Sequence, residues 1–132
     1  MPELRWTTVA SPRAGSRAVV MASRLVVRSP ADLPRFLRAS LAARRQARTA
    51  PGALGLSIAV QPLRRTFWTV SAWESREALR GYAAAEPHRG IMAALRPAAA
   101  ESVFTLWEVP AEELPIPWDE ARQRLARAAP RP

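Results

Sequence analysis

The segment from Phe67 to Arg96, FWTVSAWESREALRGYAAAEPHRGIMAALR, most constrains the fold, because a strand pattern runs directly into a helix pattern that a proline interrupts. Up to Trp73 the segment is rich in aromatic and β-branched residues, which predicts a strand, and the alternation of side chains along a strand gives it two faces that must both be covered. Ser75 is a typical helix N-cap. Pro87 cannot donate a helical hydrogen bond, so we expect one helix to stop there and a second to begin.

The only histidine of the chain, His88, follows this break. Together with Ile91, Met92 and Leu95 it has the i, i+3, i+4, i+7 spacing of one buried helix face. The spacing predicts that the imidazole points inward among apolar side chains, where it could act as a base or a ligand. The alternative is a packing histidine that holds the helix break through Glu86 or a backbone carbonyl.

Composition excludes several classes of function. The chain of 132 residues has no cysteine, which removes thiol catalysis, disulfides and cysteine-ligated metals, and its length is typical of one domain. No apolar run reaches the roughly 18 residues of a membrane span, and the first residues lack the apolar core of a signal peptide, so we expect a cytoplasmic protein with no membrane partner. The formal charge of +9 comes from arginines spread over every segment, which is typical of a solvated surface, so nucleic acid is not the expected partner.

The remaining segments predict the order of the other elements. We expect a loosely attached arm over residues 1–17, a ferredoxin-like domain over 18–109 and a proline-rich tail with a short helix over 110–132. Within the domain, the patterns predict strands at 18–28, 53–61, 67–73 and 101–109. A helix capped by Ser29 or Asp32 is expected to run to about Ala50, and the tail helix spans 118–129.

The second predicted strand is uneven. Its larger residues share one face, while the other face carries only Gly55, Ser57 and Ala59. Either a helix packs unusually close to this small-residue face, which is the commoner case, or a pocket lies over it.

The order of elements is β-α-β-β-α-β, which predicts an α+β, ferredoxin-like antiparallel sheet with both helices on one face. Every predicted strand carries apolar residues on both sides, so the second face of the sheet needs a cover. The simplest cover is the same face of another copy, and we therefore expect a homodimer in which two sheets pack together.

The stretch TVSAWESREALRGYAAAEPHRGIM resembles the signature of the dimeric α/β-barrel superfamily, which includes the antibiotic-biosynthesis monooxygenases. The resemblance extends from Val19 to Val109. The ending LWEVPAEELPIPWDEARQRL resembles an uncharacterised branch of that superfamily, a domain of unknown function. The resemblance implies a monooxygenase-like oxidoreductase that acts on an aromatic or polycyclic metabolite. Members of the superfamily include cofactor-free oxygenases, so the resemblance is compatible with a reaction that uses no cofactor.

That resemblance and the residue pattern together give the candidate site. The candidate catalytic residues are His88 and Tyr82, and no metal site is expected because the acidic residues have no ligand spacing. The alternative is that the aromatic candidates, Tyr82 and Trp73, are core residues of a non-catalytic dimeric ligand-binding or structural protein. The candidate substrate-binding residues are Trp73, Ser71, Met92 and Ser57.

Haem is a further alternative that the superfamily raises. Its haem-degrading branch needs a Trp and a His at the positions that Tyr82 and Met92 occupy here, and an Asn on the first strand, which this chain lacks. These departures count against haem degradation, although His88 could ligate iron. Trp68 and Trp107 are interpreted as core or dimer-interface aromatics.

Overall fold

The computed structural model describes residues 3–128, with side chains described from Trp6 onward. The predicted strands and helices are all present, with ends that differ from the expected ones by three residues or fewer. The structure adds one strand at the N-terminus. The elements are β1 (Glu3–Thr8), β2 (Arg17–Val27), α1 (Leu33–Ala47), β3 (Ala53–Gln61), β4 (Thr66–Trp73), α2 (Arg76–Ala84), α3 (His88–Leu95), β5 (Ala99–Pro110) and α4 (Trp118–Ala128).

The five strands form one antiparallel sheet in the order β1-β3-β4-β2-β5. The last four strands have the ferredoxin-like order, in which the first and third strands of the β-α-β-β-α-β unit lie at the centre. The prediction of an α+β, ferredoxin-like fold is confirmed. The sheet within one chain is open, with β1 at one edge and β5 at the other.

The N-terminal segment is not only a loosely attached arm, because part of it forms a strand of the sheet. Strand β1 pairs with β3, and Thr7 is the register partner of Leu56. Trp6 packs against Gly55, where an added Cβ would lie 2.5 Å from the indole ring. The small residue at 55 therefore admits an aromatic ring from a neighbouring strand, which local alternation cannot reveal. The division at residues 17 and 109 stays a prediction, and residues 1–2 and 129–132 lie outside the described part.

Local sequence signals set the helix ends. Ser75 accepts a hydrogen bond from the backbone N of Ala78 at 3.1 Å, as expected of an N-cap. Ser29 caps a short 3-10 turn that precedes α1. Helix α2 ends at Ala84 and α3 begins just after Pro87, so the predicted helix break is confirmed.

Helices α1, α2 and α3 lie on one face of the sheet, and α4 covers the other. On the α4 side, Val20, Val70 and Ala72 are fully buried in a cluster that includes Ala121 and Leu125 of α4. The premise of the homodimer prediction, a bare second face, is therefore wrong. The C-terminal segment of the same chain supplies the cover, and the homodimer itself stays a prediction.

Two arginines of α4 lie over tryptophans of the sheet. The guanidinium carbon of Arg122 is 5.9 Å from the ring centroid of Trp68, and that of Arg124 is 4.5 Å from the ring centroid of Trp107. Such cation–π contacts add to the apolar burial of the helix. Trp68 and Trp107 thus lie under α4 within one chain.

Candidate functional site

A cavity of about 390 Å³ lies between the sheet and helices α1, α2 and α3. It separates two small apolar clusters, one around Phe36 and Phe67 and the other around Trp73 and Tyr82. Its lining includes residues of four adjacent strands, from β3 to β5. Three spacings of roughly 4.8 Å make it about 14 Å wide along the sheet. Its size is that of a small-molecule site.

The floor of the cavity carries hydroxyl groups on β2 and β4. The hydroxyl oxygens of Ser23 and Thr69 are 2.5 Å apart, and Ser71 Oγ accepts from Trp73 Nε1 at 2.9 Å. The hydrogen bond between Ser23 and Thr69 uses one of the two hydroxyl hydrogens of this pair. Ser71 accepts in its bond with Trp73, so that bond does not use the hydroxyl hydrogen of Ser71. The floor therefore offers hydrogen-bond donors to an acceptor atom of a ligand.

Three aromatic rings form a row along one wall. The ring centroids of Trp73 and Tyr82 are 4.9 Å apart, and those of Tyr82 and His88 are 4.8 Å apart. The Tyr82 hydroxyl donates to the carbonyl oxygen of Ala43 at 3.0 Å, and burial raises the pKa of Tyr82 to about 12. The phenol is therefore neutral at physiological pH.

The imidazole of His88 has a defined tautomer. Its Nδ1 lies 3.2 Å from the carbonyl oxygen of Ala83. Because a carbonyl oxygen only accepts, Nδ1 must carry the hydrogen, and in the neutral ring Nε2 then holds the lone pair. The ring is half-buried and lines the cavity. A backbone carbonyl holds the ring, one of the two partners that the sequence suggested for a packing histidine.

Gln46 of α1 bridges the helix break. Its side-chain Nε2 donates to the carbonyl oxygen of Tyr82 at 3.1 Å, and its Oε1 accepts from the backbone N of His88 at 2.8 Å. These bonds satisfy backbone groups at the end of α2 and the start of α3, and they hold His88 beside Tyr82. Sequence reasoning missed Gln46, because no local pattern marks a residue that acts 42 positions away.

The structure brings most of the predicted site residues to this one cavity. His88, Tyr82, Trp73, Ser71 and Met92 all line it. Met92 is 38% exposed and lies near the open side, where Phe104 of β5 is 66% exposed. The cavity thus opens towards the β5 edge of the sheet.

Ser57 has a different position from the other predicted residues. It is buried and contributes to the lining, but its register partner Val70 belongs to the cluster under α4. Of the two alternatives for the small-residue face, close packing is found at Gly55 rather than a pocket, and the residue that packs there is Trp6 of strand β1 rather than part of a helix. The cavity lies instead on the opposite face of β3, with Leu56 among its lining residues.

Two kinds of feature are absent from residues 3–128. No group of three or more His, Cys, Asp or Glu side chains there is placed to hold a metal ion. No helix of that part is long and apolar enough to cross a membrane.

A protein-family model, described as a domain of unknown function (DUF3291), matches residues 37–130. The chain belongs to this family. The match extends from α1 into the tail that carries α4, and so includes the helices that surround the cavity. No curated protein sequence is significantly similar to this DUF3291 protein.

Several solved structures share the fold of the DUF3291 chain. A mutant of SnoaB, a cofactor-independent oxygenase from Streptomyces nogalater, is 18% identical with a TM-score of 0.58, covering 75% of this chain and 98% of its own. An antibiotic biosynthesis monooxygenase is 15% identical with a TM-score of 0.61, covering 67% and 95%. A conserved protein from Methanosarcina mazei Go1 is 10% identical with a TM-score of 0.63, covering 70% and 93%. The predicted resemblance to the monooxygenase superfamily is confirmed at the level of the fold.

Proposed function

We propose that this DUF3291 protein is a small monooxygenase-like enzyme that oxidises an aromatic or polycyclic metabolite in the cavity, with His88 as the base. The observation that carries the proposal is the fixed tautomer of His88 at the wall of an apolar cavity. The bond from Nδ1 to Ala83 leaves the Nε2 lone pair to accept a proton.

The chemistry requires a substrate that supplies its own electrons. His88 removes a phenolic or carbon-bound proton, and the electron-rich anion reduces oxygen. In a net conversion of a ring CH₂ to C=O, one oxygen atom enters the product and the other leaves as water with the two hydrogens. The developing oxyanion would accept hydrogen bonds from the hydroxyls of Ser71 and the Ser23–Thr69 pair.

The other predicted residues have positioning roles in this proposal. Trp73 and Met92 give the cavity apolar walls that suit a flat ring system. Tyr82 acts through its ring, which packs against His88, because its hydroxyl is bonded to Ala43 and its pKa is about 12. Ser57 is buried in strand β3 and contributes to the lining of the cavity.

We propose that the reaction needs no resident cofactor. SnoaB, which shares this fold, is named a cofactor-independent oxygenase, and this supports the proposal at the level of the fold alone. Haem fits the residues poorly. Where the haem-degrading branch has its essential histidine, this chain has the partly exposed thioether of Met92, and the phenol of Tyr82 is already bonded to Ala43.

The test is oxygen uptake by the purified protein with anthrone as the first probe, followed by hydroxylated naphthalenes. We expect His88→Gln to lower kcat by about 10²- to 10⁴-fold with an unchanged melting temperature. Arg89→Gln is the matched control, because Arg89 is an exposed neighbour on the same helix, and it should keep full activity. Equal turnover in His88→Gln and the wild type would refute the role of the base.

A non-catalytic ligand-binding protein is the second candidate. The observation that favours it is that Nδ1 of His88 is bonded to Ala83 and its ring packs on Tyr82, as in a packing histidine. This reading predicts that aromatic probes bind without oxygen consumption, and that His88→Gln binds them as the wild type does. Calorimetry together with oxygen uptake separates the two candidates.

A further inference from the structure

The charge distribution around the cavity is one-sided. Two arginines, Arg24 and Arg44, are among the residues that line it, and within the described part of the chain no Asp or Glu lines it. A cavity with apolar walls strengthens the field of any cation at its edge, because little water screens it. The two arginines differ in how that charge is balanced.

Arg24 already has an anionic partner. Its guanidinium forms a salt bridge with Glu101 of β5, and it also lies 5.8 Å from the ring centroid of Trp68. The charge of Arg24 is therefore largely neutralised within the fold. The guanidinium also lies against Trp68, on the side of the sheet that α4 covers, and not on the side of α1, α2 and α3.

Arg44 has no such partner among the side chains that the structure describes. Its Nη2 donates to the hydroxyl of Thr7 at 2.9 Å, and no carboxylate of the described residues lies within ion-pair distance of it. The side chain is half-buried, and Thr7 is the register partner of Leu56, which lines the cavity. A partly desolvated guanidinium with a neutral hydroxyl partner keeps donors for a bidentate bond to a carboxylate.

We infer that the ligand of this cavity is an organic anion, a flat apolar molecule whose carboxylate pairs with Arg44. The inference rests on the proposed function, since it takes the cavity to hold a flat ring system. Arg44 lies over the β1–β3 side of the sheet, whereas the opening is at the β5 edge. The carboxylate would thus enter first and be held at the inner end, with the rings over the hydroxyls of the floor.

The experiment compares two probes of the same ring system, 3-hydroxy-2-naphthoate and 2-naphthol, by isothermal titration calorimetry. The wild type should bind the naphthoate about tenfold or more tightly than the naphthol, as a charge-assisted bond provides. Arg44→Gln should abolish this preference. Arg45→Gln, which removes the same charge from the exposed neighbouring position of α1, should keep it.

Arg44→Lys guards against a folding defect, because it keeps the charge and should show an intermediate preference. The inference is overturned if neither probe binds, if Arg44→Gln keeps the preference, or if Arg45→Gln loses it equally. His88→Gln must keep the preference for the naphthoate, because the catalytic role of His88 is separate from the binding of the carboxylate by Arg44. If the wild type does not oxidise anthrone but still prefers the naphthoate to the naphthol, only the proposed reaction is rejected. If oxidation depends on His88 but the wild type shows no preference for the naphthoate, only the anion site is rejected.

Discussion

The single tyrosine of the chain allows a direct test of the site. Tyr82 is the only tyrosine, and the chain has neither lysine nor cysteine, so its phenol is the only side chain with an ordinary pKa between about 8 and 12. Burial raises this pKa from 10.0 to about 12. We predict that ultraviolet difference absorbance of the folded protein shows tyrosinate forming only as the pH approaches 12.

The same shift gives the pH dependence of stability. Between pH 10 and about 12 the unfolded chain releases the phenolic proton while the folded protein keeps it, so the free energy of unfolding falls as the pH rises. The contribution is fully present below pH 10 and is lost at about pH 12. A pKa raised from 10.0 to about 12 corresponds to roughly 3 kcal/mol of stability. Urea unfolding at a series of pH values measures the loss.

Tyr82→Phe is the control for both measurements. It should remove the absorbance change and the decline of stability between pH 10 and 12. At neutral pH it should cost about 1 kcal/mol, because the bond to the carbonyl of Ala43 is lost. Tyrosinate that forms near pH 10 in the folded wild type would show that the phenol is accessible to water, and the wall of the cavity would then be wrongly placed.

Two further predictions concern the stability of the fold and are read by urea unfolding. Gly52→Ala should destabilise the protein by about 1–3 kcal/mol, because Gly52 has a φ of +82° and an added Cβ would overlap the side chain of Ala78. Gly81→Ala, with nothing within 4 Å of the added Cβ on α2, should instead stabilise it by about 0.5–1 kcal/mol; equal effects at both glycines would contradict the reasoning. Leu125→Ala should cost about 2–4 kcal/mol because Leu125, on the sheet-facing side of α4, is 1% exposed, whereas Arg127→Ala on the exposed side of α4 should change stability by less than about 0.5 kcal/mol; a neutral Leu125→Ala would show that α4 does not cover the sheet.

Much of the fold could be predicted because its signals are local. The alternation from Phe67 to Trp73, the cap at Ser75 and the break at Pro87 each depend on a few neighbouring residues. Their order then allowed few topologies other than the ferredoxin-like one. The same local spacing placed His88 and Met92 on one helix face, and both line the cavity.

The sequence by itself determined which segments are strands or helices and which of their faces are apolar, because those properties follow from residues within a turn or two. Only the tertiary structure decided what each face meets. Trp6 fills the space at Gly55, α4 covers the second face of the sheet, and Gln46 joins α1 to the helix break before His88. Apolar burial has no direction, so an alternating strand specifies that it needs a cover but not which part of the chain supplies it.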